Sequence, residues 1–154
     1  MIKLSKGDIM ATLTIKIATQ GSLYGVNNIL RTGHAWISLK DEDNKSYSFG
    51  FSLEGVITND DSNYKEAFKS VGVGYIYSRD INISENEFLK LKSFSENYNN
   101  EYNILNNTCV NFVWNALEYA GLNPKGFKGD NIPINNINNF EILAEALNSN
   151  KIEE

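Results

Sequence analysis

From Met10 to Ala18 the chain alternates, with Leu13, Ile15 and Ile17 interleaved by Thr12, Thr14 and Lys16. A period of two places the apolar set on one face of an extended backbone, so this segment predicts a half-buried strand. Two further runs, His34-Ala35-Trp36-Ile37-Ser38-Leu39 and Tyr47-Ser48-Phe49-Gly50-Phe51, flank the turn-rich cluster Asp41-Glu42-Asp43-Asn44. That is the pattern of a β-hairpin. The stretch from Val71 to Ser78 predicts another strand, with Gly72 and Gly74 marking a bulge or a close backbone approach. Between the first strand and the hairpin, Thr19 to Gly33 reads as a Gly- and Asn-rich loop with a helical turn at Val26 to Arg31.

The second half changes period. Ser84-Glu85-Asn86-Glu87 has the form of a capping box ahead of Phe88, Leu89, Leu91 and Phe94, predicting a helix over 85–98. Val110, Val113, Ala116, Leu117 and Ala120 form an apolar stripe over 109–120, with Thr108 as N-cap and Gly121 as the stop. The Asn-rich segment from Asn131 to Asn139 reads as an irregular surface excursion. A short closing helix follows over 141–147. The expected fold is α+β, a small antiparallel sheet or partial barrel packed against the helix that begins at Cys109.

With 154 residues and 42% hydrophobic content, the chain suits one domain, expected over 1–148 with a frayed tail at 149–154. A formal net charge of −5 and the lack of a basic run exclude the electrostatic footprint of a nucleic-acid binder. The one cysteine has no internal disulfide partner, and with a single histidine it leaves too few soft ligands for a structural zinc site. Asp41 to Asn44 and Asp60-Asp61-Ser62-Asn63 lack the spacing of a calcium loop and read as solvated turns. No apolar run reaches a membrane-spanning length, and although Lys3 and Lys6 stand near the start, Asp8 and Lys16 interrupt any signal-peptide core. The expected location is the cytoplasm, or outside the cell by a route other than the general secretory pathway.

Two residues carry the chemical signal. Cys109 stands at a predicted helix start, where unpaired N–H groups and the macrodipole favour a thiolate and could donate to an oxyanion. His34 opens a strand directly after Gly33, which leaves its imidazole near an edge. A cysteine at a helix start and a histidine at a strand start are the two parts of a papain-type nucleophile and base. Against this stands the common alternative, in which a lone cysteine is a small buried hydrophobe and a lone histidine is structural.

The string from Tyr102 through Asn106-Asn107-Thr108-Cys109-Val110-Asn111-Phe112, ending in Leu117 and Gly121, resembles the nucleophile segment of papain-like cysteine hydrolases. Gly33 to Leu39 followed by Tyr47 to Phe51 resembles their histidine strand and the strand after it. The histidine precedes the cysteine. That order is similar to the circularly permuted NlpC-type superfamily, which includes lecithin–retinol acyltransferase-like proteins and bacterial permuted amidases. The resemblance spans roughly Gly33 to Gly121.

It implies a third, polar residue that orients His34. On the strand after the histidine, the candidates facing His34, Trp36 and Ser38 are Ser46, Ser48 and Ser52, with Ser48 the first choice. Glu54, a backbone carbonyl, or a bare dyad are the alternatives. Asn107, with Asn106, is a candidate for the oxyanion, or else a turn residue ahead of the helix cap. Trp36 is a candidate for lining a substrate groove, or else a core residue.

The implied activity is a cysteine peptidase or amidase that cleaves peptidoglycan peptides or protein through a thioester, needing no metal or organic cofactor. A bacterial effector of this type would have a cognate inhibitor protein as a partner. The alternatives are a lipid or ester acyl hydrolase or acyltransferase, and a non-catalytic binding module.

Overall fold

The computed structural model describes residues 11–20, 22–24, 28–29, 33–64, 75–103 and 107–151. A five-stranded antiparallel sheet forms the centre, in the order β6-β5-β4-β1-β7, from β1 (Ala11–Ala18), β4 (His34–Lys40), β5 (Ser46–Ser52), β6 (Gly55–Thr58) and β7 (Ile76–Ile83). A separate two-stranded ladder pairs β2 (Leu23–Tyr24) with β3 (Asn28–Ile29). The α-helices are α1 (Glu85–Asn97), α2 (Cys109–Tyr119) and α3 (Ile137–Lys151). The fold is α+β.

The alternation in β1 sets the core. Leu13, Ile15 and Ile17 are fully buried on one face, beside Leu39, Ile37 and Ala35 of β4 and Ile81 and Ile83 of β7. Each such side chain contributes roughly 1.5–3 kcal/mol on burial. The hairpin register joins Ile37 to Phe49 and Leu39 to Tyr47, so those rings extend the same face toward the helices. A one-residue slip would turn the whole set outward, which fixes the register.

Because β4 is covered on both sides, six of its seven residues are buried. Its second face carries His34, Trp36 and Ser38, with Ser48 across from Ser38 and Gly50 across from Trp36. What covers this face is a 3₁₀ turn at Asp60–Tyr64, which follows β6. Asp60 is fully buried and Tyr64 nearly so. This corrects the expectation of a solvated turn there. The cluster at Asp41 to Asn44 is a turn, closed by Asp41 Oδ1 accepting from the Asp43 and Lys45 N–H groups.

Helix α1 begins with the expected capping box. Ser84 Oγ accepts from the Glu87 N–H, and the Glu87 carboxylate accepts from the Ser84 N–H. Helix α2 is buried nearly all round, packing on β4 and β5, against Phe94 of α1, and through Trp114 against Phe140 of α3 with ring centroids 4.4 Å apart.

The segment after α2 is more ordered than its composition implies. Asn136 is fully buried, donating to the carbonyls of Asp130, Ile132 and Pro133 and accepting from the Trp114 indole and the Asp130 N–H. A 3₁₀ turn at Pro133–Asn136 leads directly into α3, so the closing helix is longer at both ends than 141–147. Asn148 fixes it to the outer strand β7, bonding the Asn82 N–H and the Asp80 carbonyl.

Two further expectations change. The loop over Thr19 to Gly33 contains the β2–β3 ladder, and Asn28–Ile29 is a strand rather than part of a helical turn. The rest of Val26 to Arg31 lies outside the described residues. The strand expected from Val71 begins at Ile76 and runs to Ile83, and Val71 to Gly74 also lie outside the described residues. Among the described residues no helix is long and apolar enough to cross a membrane.

Candidate functional site

Helix α2 starts at Cys109 because Thr108 turns from extended backbone and Asn111 closes the end. The Asn111 carboxamide oxygen accepts from both the N–H (2.9 Å) and the hydroxyl (3.2 Å) of Thr108. Its Nδ2 donates to the Lys128 carbonyl, which ties the helix start to the segment after α2. The Phe112 N–H makes the first intrahelical bond, to Thr108. The capping box takes up the Asn111 N–H, so Cys109 and Val110 present their N–H groups at the positive end of the helix. Cys109 is 5% exposed.

His34 is the first residue of β4, paired with Ala18 of β1. Its Nε2 lies 2.7 Å from Oδ2 of Asp60, and Asp60 Oδ1 accepts from Nδ2 of Asn63 at 2.8 Å. With Nε2 committed to the carboxylate, Nδ1 is the ring nitrogen left over, and the nearby Cys109 thiol acts on the same imidazole. Burial works to lower the His34 pKa. The hydrogen bond to Asp60, that to Cys109 and the negative charge of both partners outweigh it and raise the value to about 10. The hydrogen bond to Asp60, a carboxylate itself fully buried, is the largest of the raising effects.

Packing fixes the ring as well. The imidazole lies nearly parallel to Trp36 and Tyr64, at centroid distances of 5.5 and 5.6 Å, and Trp36 stacks on Tyr64 at 4.2 Å. Gly50 provides the space for the contact. A Cβ there would overlap Asp60 Oδ2 and approach His34 Nε2 to 2.8 Å. Tyr102 packs on Phe51, with ring centroids 5.4 Å apart. Burial and the charge of Cys109 both raise its hydroxyl pKa.

Asp61 holds the turn that delivers Asp60. Its carboxylate accepts from the Trp36 indole at 2.7 Å, the Ser38 hydroxyl at 2.7 Å and the Lys16 ammonium at 3.0 Å. Its N–H donates to Ser48 Oγ at 2.8 Å. Adjacent acidic residues thus take separate tasks, one on the imidazole and one on the sheet.

The structure brings together Cys109 and His34, and it revises the other three candidates. Ser48 does not orient His34. It stands opposite Ser38, beyond reach of the ring, and its hydroxyl serves the Asp61 N–H. Ser52, another candidate, donates to the Gly55 carbonyl. Trp36 is fully buried behind the imidazole and lines no groove. Asn107 is tied into its own loop, with Nδ2 on the Glu101 carbonyl and Oδ1 on the Tyr98 hydroxyl, so its amide is not directed at an oxyanion. Asn106 lies outside the described residues.

The residue that sequence reasoning missed is Asp60. The available signal was a strand face bearing an imidazole, an indole N–H and a hydroxyl, all needing acceptors.

An imidazole held between a carboxylate and a thiol can take the thiol proton and later return it to a leaving group. Among the described residues no cluster of three or more His, Cys, Asp or Glu could hold a metal ion. Comparison with known proteins finds no matching family model, no matching curated relative and no matching solved structure.

Proposed function

We propose that this chain is a cysteine hydrolase of the permuted papain-like kind, with Cys109 as nucleophile, His34 as general base and acid, and Asp60 as the orienting carboxylate. One observation carries the reading. A single buried imidazole is hydrogen-bonded to a fully buried carboxylate, and a thiol at a helix N-terminus lies near enough to shift the same ring's titration. A buried carboxylate is an expensive partner to keep for a histidine that only fills space. The histidine strand precedes the cysteine helix, as in the permuted arrangement, while Asp60 stands on the turn after β6 rather than on the strand after the histidine.

In the proposed reaction the Cys109 sulfur attacks an amide carbonyl while its proton resides on His34. Asp60 stabilises the resulting imidazolium without accepting its proton. Charge developing on the carbonyl oxygen is met by N–H groups of the first turn of α2. His34 then protonates the leaving amine, and water, activated by the same imidazole, resolves the thioester.

The proposed substrates are amides of peptidoglycan stem peptides or of protein. Purified peptidoglycan and a denatured protein, incubated with wild type, should release new amino groups, and Cys109→Ala and His34→Ala should release none. Cleavage of activated esters with no amide cleavage would instead support the lipid or ester acyl hydrolase. No turnover of any of these, with no thioester detected by intact mass, would overturn the hydrolase in favour of a binding module.

A further inference from the structure

Away from Cys109, a groove of about 860 Å³ runs between the C-terminal half of α1 and the outward side of α2. Its size is that of a small-ligand cleft. Tyr119 stands 56% exposed along it, with Phe94 beside it at a ring distance of 5.5 Å. Four carboxamides, Asn97, Asn99, Asn100 and Asn115, line it beside Ser93, Glu118 and Tyr98.

Two of these amides have their orientation set by their partners. Asn97 Nδ2 donates to the Ser93 carbonyl at 2.9 Å, which leaves Oδ1 as an acceptor. Lys128 donates to Asn115 Oδ1 at 2.7 Å, which leaves Nδ2 as a donor. Among the described residues the side chains of Asn99 and Asn100 have no protein partner. Glu118 is the charged member of the described lining, and Lys128 pairs with it at 2.9 Å.

This chemistry selects a ligand. The exposed Tyr119 ring matches the flat C–H face of a pyranose, and fixed amide donors and acceptors match hydroxyls, which do both. Among the described lining residues there is no Lys or Arg to hold a phosphate or carboxylate. We propose that the groove binds a neutral oligosaccharide, with one ring stacked on Tyr119 and hydroxyls bonded to Asn97 Oδ1 and Asn115 Nδ2. At 1.5 Å per residue, Asn115 and Tyr119 lie about 9 and 15 Å along α2 from Cys109, so this is a second site. It does not depend on the hydrolase reading.

The test is a ¹H–¹⁵N titration of the full chain, as wild type and as Cys109→Ala, with chitotetraose and with cellotetraose up to about 10 mM. At least one should bind saturably to both proteins, shifting the Asn side-chain amides and the C-terminal half of α1. Tyr119→Ala, an exposed position, should weaken binding about tenfold or more, whereas Tyr119→Phe, which keeps the ring, should stay within about twofold. The proposal is overturned if neither saccharide moves the groove resonances. It is equally overturned if Tyr119→Ala binds as wild type does, or if a sugar phosphate binds more tightly than the neutral sugar.

Discussion

Asp60→Asn separates the charge of the orienting residue from its shape. In the wild type each Asp60 oxygen accepts one bond, Oδ2 from His34 at 2.7 Å and Oδ1 from Asn63 at 2.8 Å. An amide keeps a single acceptor. Its oxygen can stay on His34 if the Asn63 carboxamide turns over to accept from the new Nδ2, so the geometry has a way to survive. What is lost is a charge-assisted hydrogen bond to a buried imidazole, worth about 1.5–3 kcal/mol. At 1.36 kcal/mol per pH unit, the His34 pKa should fall from about 10 by about 1–2 pH units. The assay is a ¹³C-edited NMR titration of the His34 Cε1–H, unambiguous because the chain holds one histidine. Ser48→Ala serves as the control, since that hydroxyl meets the Asp61 N–H, and it should leave the midpoint unchanged. An unchanged midpoint in Asp60→Asn, or an equal drop in Ser48→Ala, would refute the assignment of Asp60.

The same pairing fixes a pH dependence of stability. The folded His34 pKa, about 10, lies above the unfolded value of about 6.5, so its contribution is complete below about pH 6.5 and lost as pH rises toward 10. Urea midpoints should fall over that window more steeply in wild type than in Asp60→Asn. Gly50→Ala should push Asp60 off the imidazole, slowing alkylation of Cys109 and costing about 1–3 kcal/mol by overpacking, as read from denaturant melts. Asp61→Ala should cost about 1–3 kcal/mol, because the Trp36 indole and the Ser38 hydroxyl both lose their acceptor. Tyr77→Phe removes the hydrogen bond from the β7 tyrosine to Glu141 of α3, and hydrogen exchange should then show α3 opening more readily.

The sheet was legible where one face is buried and the other is not. Period-two alternation in β1 and the paired aromatic runs of β4 and β5 gave both the strands and the register, including the face that His34 shares with Ser38 and Ser48. Capping residues located the starts of α1 and α2 for a local reason, since Ser84 and Thr108 act on N–H groups within one turn. The cover over the second face of β4 was not legible. Asp60-Asp61-Ser62-Asn63 has the composition of an exposed turn. Its burial comes from partners 23 to 26 residues away along the chain, His34, Trp36 and Ser38. No local pattern encodes that pairing. Asn136 misled in the same way, because an asparagine at the centre of five hydrogen bonds looks in sequence like any other in an Asn-rich stretch. In both places polar residues do the work of a core by satisfying buried groups, which hydrophobic periodicity does not register.

Activation of Cys109 by His34 is most directly tested by the rate of iodoacetamide alkylation from pH 4 to 10 in wild type, His34→Ala and Asp60→Asn. If the three residues act as one unit, wild type reacts rapidly already near pH 6, His34→Ala at least about tenfold more slowly, and Asp60→Asn between them. Equal rates in all three proteins, rising together with pH, would contradict it.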